Sequence, residues 1–149
     1  MSRHVAEIDW KSDGGFADNS YSRRHRIAFD GGAVMTGSSS PDVVPAPMSD
    51  PAGVDPEEAL VASAAACHML WFLSLAQAAG HDVASYRDAA EGEMGRVAPG
   101  RIGFTRIILN PRIAFNGAAP DREALDRLHH LAHERCFIAN SLTCEIVVR

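Results

Sequence analysis

The sequence lacks most of the short signatures that assign a chain to a class. It has no GxGxxG turn and no phosphate-binding loop, which sets aside the common nucleotide-binding folds. It has no CxxC pair, so zinc ribbons and thioredoxin-like motifs are set aside as well. No internal repeat is visible. The opening segment MSRHVAEIDW lacks the apolar run of a secretory leader, and the expected compartment is the cytoplasm. A net charge of −5 argues against a nucleic-acid surface, which needs clustered lysine and arginine. What is present is ordinary: 149 residues, 46% apolar and 22% charged, the size and composition of one soluble domain over residues 1–149.

Cysteine is scarce. Cys67, Cys136 and Cys144 are an odd, widely spaced set, which in a reducing compartment is catalytic, metal-binding or inert more often than a structural framework. The longest apolar stretch, Leu60 to Ala76, is broken by Ser63, His68 and Ser74. It is near the minimum length for a bilayer span but has no flanking basic anchors, so the expectation is a buried helix and no membrane.

Along the chain, His4 to Trp10 alternates and predicts a half-buried strand. Lys11 to Ser20 reads as a connection. Arg23 to Asp30 alternates again, with Arg23, His25, Ile27 and Phe29 on the core face and Arg24 and Arg26 facing solvent. Gly31-Gly32 offers a turn into a short strand at Val34 to Thr36, and Ser38 to Val54 is a long loop. Asp55-Pro56-Glu57-Glu58 is a helix start: Asp55 caps, Pro56 fits the first helical position and Glu58 completes the capping box. That helix should run to about Ala79 with Gly80 as its stop, and being apolar nearly all round it should be the buried centre of the domain.

Beyond it, Asp82 to Gly95 and Ile102 to Leu109 read as strands, followed by a break at Asn110-Pro111 and a strand at Ile113 to Phe115. Pro120 opens a second helix with Asp121 and Glu123 in its first turn, and Leu125, Leu128, Ala132 and Cys136 line one face of it. Ser141 to Arg149 alternates, with Leu142, Cys144, Ile146 and Val148 together. The fold class is therefore α+β, a mostly antiparallel sheet wrapped around a long buried helix, with a second helix.

The residues that could carry chemistry each have a plainer reading beside them. Cys67 sits mid-helix and reads either as a small buried hydrophobe or as a reactive thiol. A reactive thiol must become a thiolate, and burial opposes that, so a cation is needed; Arg23 is the candidate, with Glu57 or Glu58 to balance it. Cys136 reads as a core position or as the resolving thiol that condenses with a sulfenic acid. Cys144 reads as core. His129, His133 and Cys136, spaced by four and then three, could instead face a metal ion.

In these residues the chain resembles the OsmC/Ohr family of osmotically induced and organic-hydroperoxide-resistance proteins. The likeness rests on Tyr21-Ser22-Arg23, on Asp55-Pro56-Glu57-Glu58 through Ala66-Cys67-His68, and on Ala132 to Cys136 with the following Phe-Ile-Ala-Asn-Ser. It departs at Phe137, where the family commonly has proline, and at His68, where many members carry an aromatic residue. The resemblance implies a peroxidatic role for Cys67, a resolving role for Cys136, and an arginine-glutamate pair falling on Arg23 and Glu57. It implies no cofactor. It also implies an intertwined homodimer, organic hydroperoxide substrates and a dithiol reductant such as a lipoyl protein. Ten residues of helix between Glu57 and Cys67 span about 15 Å, so a shared site needs Arg23 as a bridge, a late or bent helix, or a glutamate from a partner. Two other readings stand beside this one: a catalytically silent member that binds a small apolar ligand, and a metal-binding protein using His129, His133 and Cys136.

Overall fold

The computed structural model of the chain describes residues 2–149, which fall into two compact units, one running to Ala59 and the other Leu60–Arg149.

In the first unit the alternating segments form β1 (Ala6–Asp9), β2 (His25–Phe29) and β3 (Val34–Gly37), an antiparallel sheet in the order β1-β2-β3. Ile8 lies opposite Ile27, and Ile27 opposite Met35, so the apolar side chains share one face as the alternation predicts. Gly32, at φ +88°, supplies the left-handed residue the β2–β3 turn requires. The expected half-burial of the first strand is corrected: β1 is exposed along its whole length, because it is the edge strand of a small sheet and most of its unit is loop. The long loop folds back where Gly37 bridges Val54, and buried Ser38 accepts the Asp50 N–H through its Oγ at 2.9 Å.

α1 (Pro56–Ala78) begins in this unit. Asp55 Oδ1 accepts the Glu58 N–H at 2.7 Å while Glu58 Oε2 accepts the Asp55 N–H at 3.2 Å, the reciprocal capping box expected from the sequence. The helix ends where Gly80, at φ +83°, lets the His81 N–H reach back to the Ala76 carbonyl.

The second unit adds β4 (Val83–Asp88), β5 (Glu91–Ala98), β6 (Arg101–Leu109), β7 (Pro111–Phe115), α2 (Arg122–Arg135), a 3-10 turn (Ala139–Ser141) and β8 (Glu145–Val148). β4 pairs antiparallel with β7; β5, β6 and β8 form a second sheet in which β6 and β8 run parallel. The α+β class and the two helices are as expected. The segment from Asp82 to Gly95 proves to belong to two strands in different sheets, and a single antiparallel sheet is replaced by three sheets with one parallel pair. α2 starts at Arg122, with Asp121 as its cap, accepting the Ala124 N–H at 2.8 Å.

Two apolar clusters hold this unit. Phe72 and Ala76 of α1 pack with Leu128 and Ala132 of α2; Ala64 packs with Ile107 and Leu109, joined by Leu142, Cys144, Ile146 and Val148. Cys144, expected as a core residue of the last strand, instead precedes β8 and is partly buried against this cluster. The all-round burial expected of α1 is not met. Only the stripe Ala64, His68, Phe72 and Ala76 is buried, while Leu70 is 63% exposed. Val61, Ala65, Trp71, Leu73 and Leu75 on its flanks are partly buried against the clusters, and an apolar composition by itself does not bring partners to the remaining side. By length and composition α1 would suffice to cross a bilayer.

Candidate active site

The structure sorts the four sequence-selected site residues into two pairs, one in each unit. Cys67 lies mid-way along α1, half-buried; Cys136 follows the last turn of α2 and is 1% exposed. Cys136 is the C-terminal cap, not a helical residue: its N–H turns back to the His133 carbonyl at 3.2 Å. Its sulfur has the Cys67 thiol of α1 as a neighbour; all three cysteines are free thiols. Burial, and then the Cys67 thiol, push the Cys136 thiol up to about 11, against the pull of the Ala139 N–H, which donates to its Sγ at 3.3 Å. Cys136 is therefore a neutral thiol at neutral pH. Next to the pair, Trp71 meets Phe137 edge-on at 5.6 Å between ring centroids, with the Arg135 guanidinium 5.8 Å from the Trp71 ring.

The other pair lines a cavity of about 260 Å³ in the first unit, where Arg23 and Glu57 are joined by His25, Ser38, Ser39 and Val43. Arg23 precedes β2 and is not a residue of the strand, so the expected inward strand face does not place it. Its guanidinium instead lies over the Tyr21 ring, 3.7 Å from the centroid, and donates to the Tyr21 carbonyl and to Asn19 Oδ1 at 2.7 Å. Asn19 can curl toward it because it adopts a left-handed backbone, φ 63°. Arg24 and Arg26 face solvent as expected, the first paired with Asp50 and the second with Glu7.

The histidines form a different constellation from the one the spacing suggests. Among the described residues no three His, Cys, Asp or Glu side chains converge to hold a metal ion. His129 meets His68 of α1: the His68 Nε2 and His129 Nδ1 stand 3.0 Å apart, and His129 also stacks on Phe72 with centroids 4.6 Å apart. Burial first, then the nearby rings of His129 and His133, drag the His68 pKa down to about 4, and burial lowers that of His129. Both rings are neutral at neutral pH. The sequence carried a signal for this pair: His68 falls on the same helical stripe as Ala64, Phe72 and Ala76, and a polar group in a core stripe demands a partner.

Two free thiols, one on α1 and one at the cap of α2, make a pair that could close to a disulfide. The comparisons give the chain's family and fold. The family model for OsmC-like proteins matches residues 49–149, and the chain belongs to that family. An OsmC-like protein of unknown function from Vibrio cholerae is 47% identical, with a TM-score of 0.97 over 100% of this chain and 99% of that one. An organic hydroperoxide resistance protein from Legionella pneumophila, 16% identical, shares the fold with a TM-score of 0.68 over 99% of this chain and 97% of its own. Another from Elizabethkingia anophelis, 17% identical, does so with a TM-score of 0.71 over 99% and 96%. No curated protein matches the sequence.

Proposed function

We propose that the protein is a thiol-dependent peroxidase that reduces organic hydroperoxides in the cytoplasm. The observation that carries this reading is the proximity of two free thiols, Cys67 on α1 and Cys136 at the cap of α2. Membership of the OsmC-like family, and a fold shared with organic hydroperoxide resistance proteins, support it.

In this reading the Cys67 thiolate attacks the outer peroxide oxygen. The O–O bond breaks, Cys67 becomes a sulfenic acid, and the alcohol leaves after taking up a proton. Cys136 then attacks the sulfenic sulfur, water leaves, and a Cys67–Cys136 disulfide remains for an external dithiol, such as a lipoyl group, to reopen. The half-buried, unequal exposure of the two cysteines fits this division of labour, with the more accessible thiol meeting the substrate. Arg23 supplies the cation that favours the thiolate, and Glu57 orients it, within one subunit or across a homodimer. Leu70 and Trp71, one turn beyond Cys67, favour an organic substrate over hydrogen peroxide.

The test is mass spectrometry under non-reducing conditions after one equivalent of cumene hydroperoxide. The expected product has lost two hydrogens and yields a cross-linked Cys67–Cys136 peptide, and a Cys67→Ser variant is inactive. Full hydroperoxide turnover by that variant would sink the proposal, and a stable single oxidation of the wild type would remove Cys136 from it.

A further inference from the structure

A second cavity, of about 530 Å³, opens in the second unit between α2 and strands β7 and β8. Neither Cys67 nor Cys136 is among its lining residues. Its floor is apolar, built from Ile113 and Phe115 of β7, Leu125 of α2, and Ile146 and Val148 of β8. Its rim is polar, with Arg122, His129 and His133 along α2 and Arg149 beyond β8. The facing carboxylate, Asp126, is turned to Arg122 at 3.8 Å, and His130 is turned to Glu134 at 3.3 Å. The volume lies within the range of pockets that take small organic ligands.

His129 is the built element of this site. Its ring is fixed from behind by the stack on Phe72, and its Nδ1 is occupied by His68. That leaves Nε2 as the nitrogen for the cavity. The supporting His68 is 1% exposed, and its own Nδ1 has no partner. If His68 carried its proton there, an N–H donor would be orphaned in the interior, the rarer and costlier arrangement. With the proton on His68 Nε2, His68 donates to His129 Nδ1, and the His129 proton must sit on Nε2. The buried ring thus sets its neighbour as a hydrogen-bond donor to the cavity, beside the Arg122 guanidinium and over an apolar floor.

We propose that this cavity binds a small amphiphilic carboxylate. The carboxylate accepts from His129 Nε2 and Arg122, and an aliphatic tail lies on the floor between β7, β8 and Leu125. The site is separate from the thiol pair and does not depend on the peroxidase reading.

Isothermal titration of the reduced full-length protein with octanoate tests it, with octanol as the tail without the charge and acetate as the charge without the tail. Octanoate should bind one per chain, at least ten-fold more tightly than either fragment. His129→Phe, which keeps the stack on Phe72 but removes both ring nitrogens, should weaken binding at least ten-fold. Arg122→Ala should do the same; Arg122 is 94% exposed, so this variant tests the site without threatening the fold. Its hydroperoxide turnover should be unchanged, whereas failure of the peroxidase reading would show in the cross-linking assay without octanoate. The proposal is overturned if octanoate does not bind below its own self-association, if octanol binds as tightly, or if both variants bind normally. It is overturned equally if Arg122→Ala changes the sedimentation of the protein while octanoate stays unbound, since a second copy then fills the cavity.

Discussion

Closure of the disulfide requires Cys136 as a thiolate, because the thiolate is the nucleophile that attacks the sulfenic sulfur. Burial is the first cause holding this thiol up to about 11, and the neighbouring Cys67 thiol is the second. Oxidation of Cys67 alters the second cause and leaves the first in place. At pH 7 a thiol four units below its pKa is ionised in about one molecule in 10⁴, and that fraction rises about ten-fold with each pH unit. The rate of closure should therefore climb by about one decade per pH unit from pH 6 to pH 9, with no plateau. An ordinary thiol, with a pKa of about 8.5, would level off within that range.

The assay is a single turnover. One equivalent of cumene hydroperoxide is added and the reaction quenched at intervals with a thiol alkylator; the sulfenic and disulfide forms are then separated by intact mass. Loss of reduced Cys67 reports the first step, and appearance of the doubly dehydrogenated protein reports the second. A flat closure rate between pH 6 and pH 9, or one that levels near pH 8.5, would show that the buried setting of Cys136 does not govern the reaction.

Three further outcomes follow from packing and charge. His68 is neutral in the folded chain with its pKa lowered to about 4 against an ordinary 6.5, so between these values the unfolded chain binds a proton that the folded chain does not. The associated stability is present above pH 6.5 and is lost as pH falls toward 4, by about 3 kcal/mol. Asp88, whose carboxyl is raised by burial, acts in the opposite sense, so the difference between wild type and His68→Phe in urea melts at pH 7 and pH 4 isolates the histidine. That difference should move by about 3 kcal/mol in favour of the variant; no movement would show that burial does not hold His68 neutral. Phe72→Ala empties the centre of the α1–α2 cluster, where Phe72 is fully buried, and should cost about 3–5 kcal/mol, read as a fall in Tm on the order of 10 °C. Asp55→Ala removes half of the capping box and should cost about 1 kcal/mol in the same melts.

The parts of the fold legible in the sequence were those with a local cause. The start of α1 was, because a capping box is closed by residues three apart. The α2 face and the last strand were too, because periods of 3.6 and 2 are written in consecutive residues. The division of 82–95 into β4 and β5 was not. The strands pair with different partners, β7 and β6, and no local pattern announces a change of partner. The parallel pairing of β8 with β6 is equally non-local. The exposure of β1 and of the Ala62, Ala66, Leu70 and Ser74 stripe of α1 escaped for a different reason: apolar periodicity says which side chains could be buried, and only the surrounding chain decides which are.

The candidate site divides along the same line. Sequence could nominate Cys67 and Cys136 but could not choose between a core role and a redox role for either, since both are apolar-lined positions on helices. What decides the geometry is that α2 stops one residue before Cys136, so that the cap residue bends toward α1 and not along the helical face predicted for it. That single residue of difference also dissolves the His129–His133–Cys136 cluster, since a ligand set at helical spacing requires all three on one helix. His129 is then left to His68, and Cys136 to Cys67. The two cross-helix pairs are consequences of one helix ending and one packed interface. A change that extends α2 through Cys136 should therefore disturb the thiol pair while leaving the histidine pair, two turns earlier, in place.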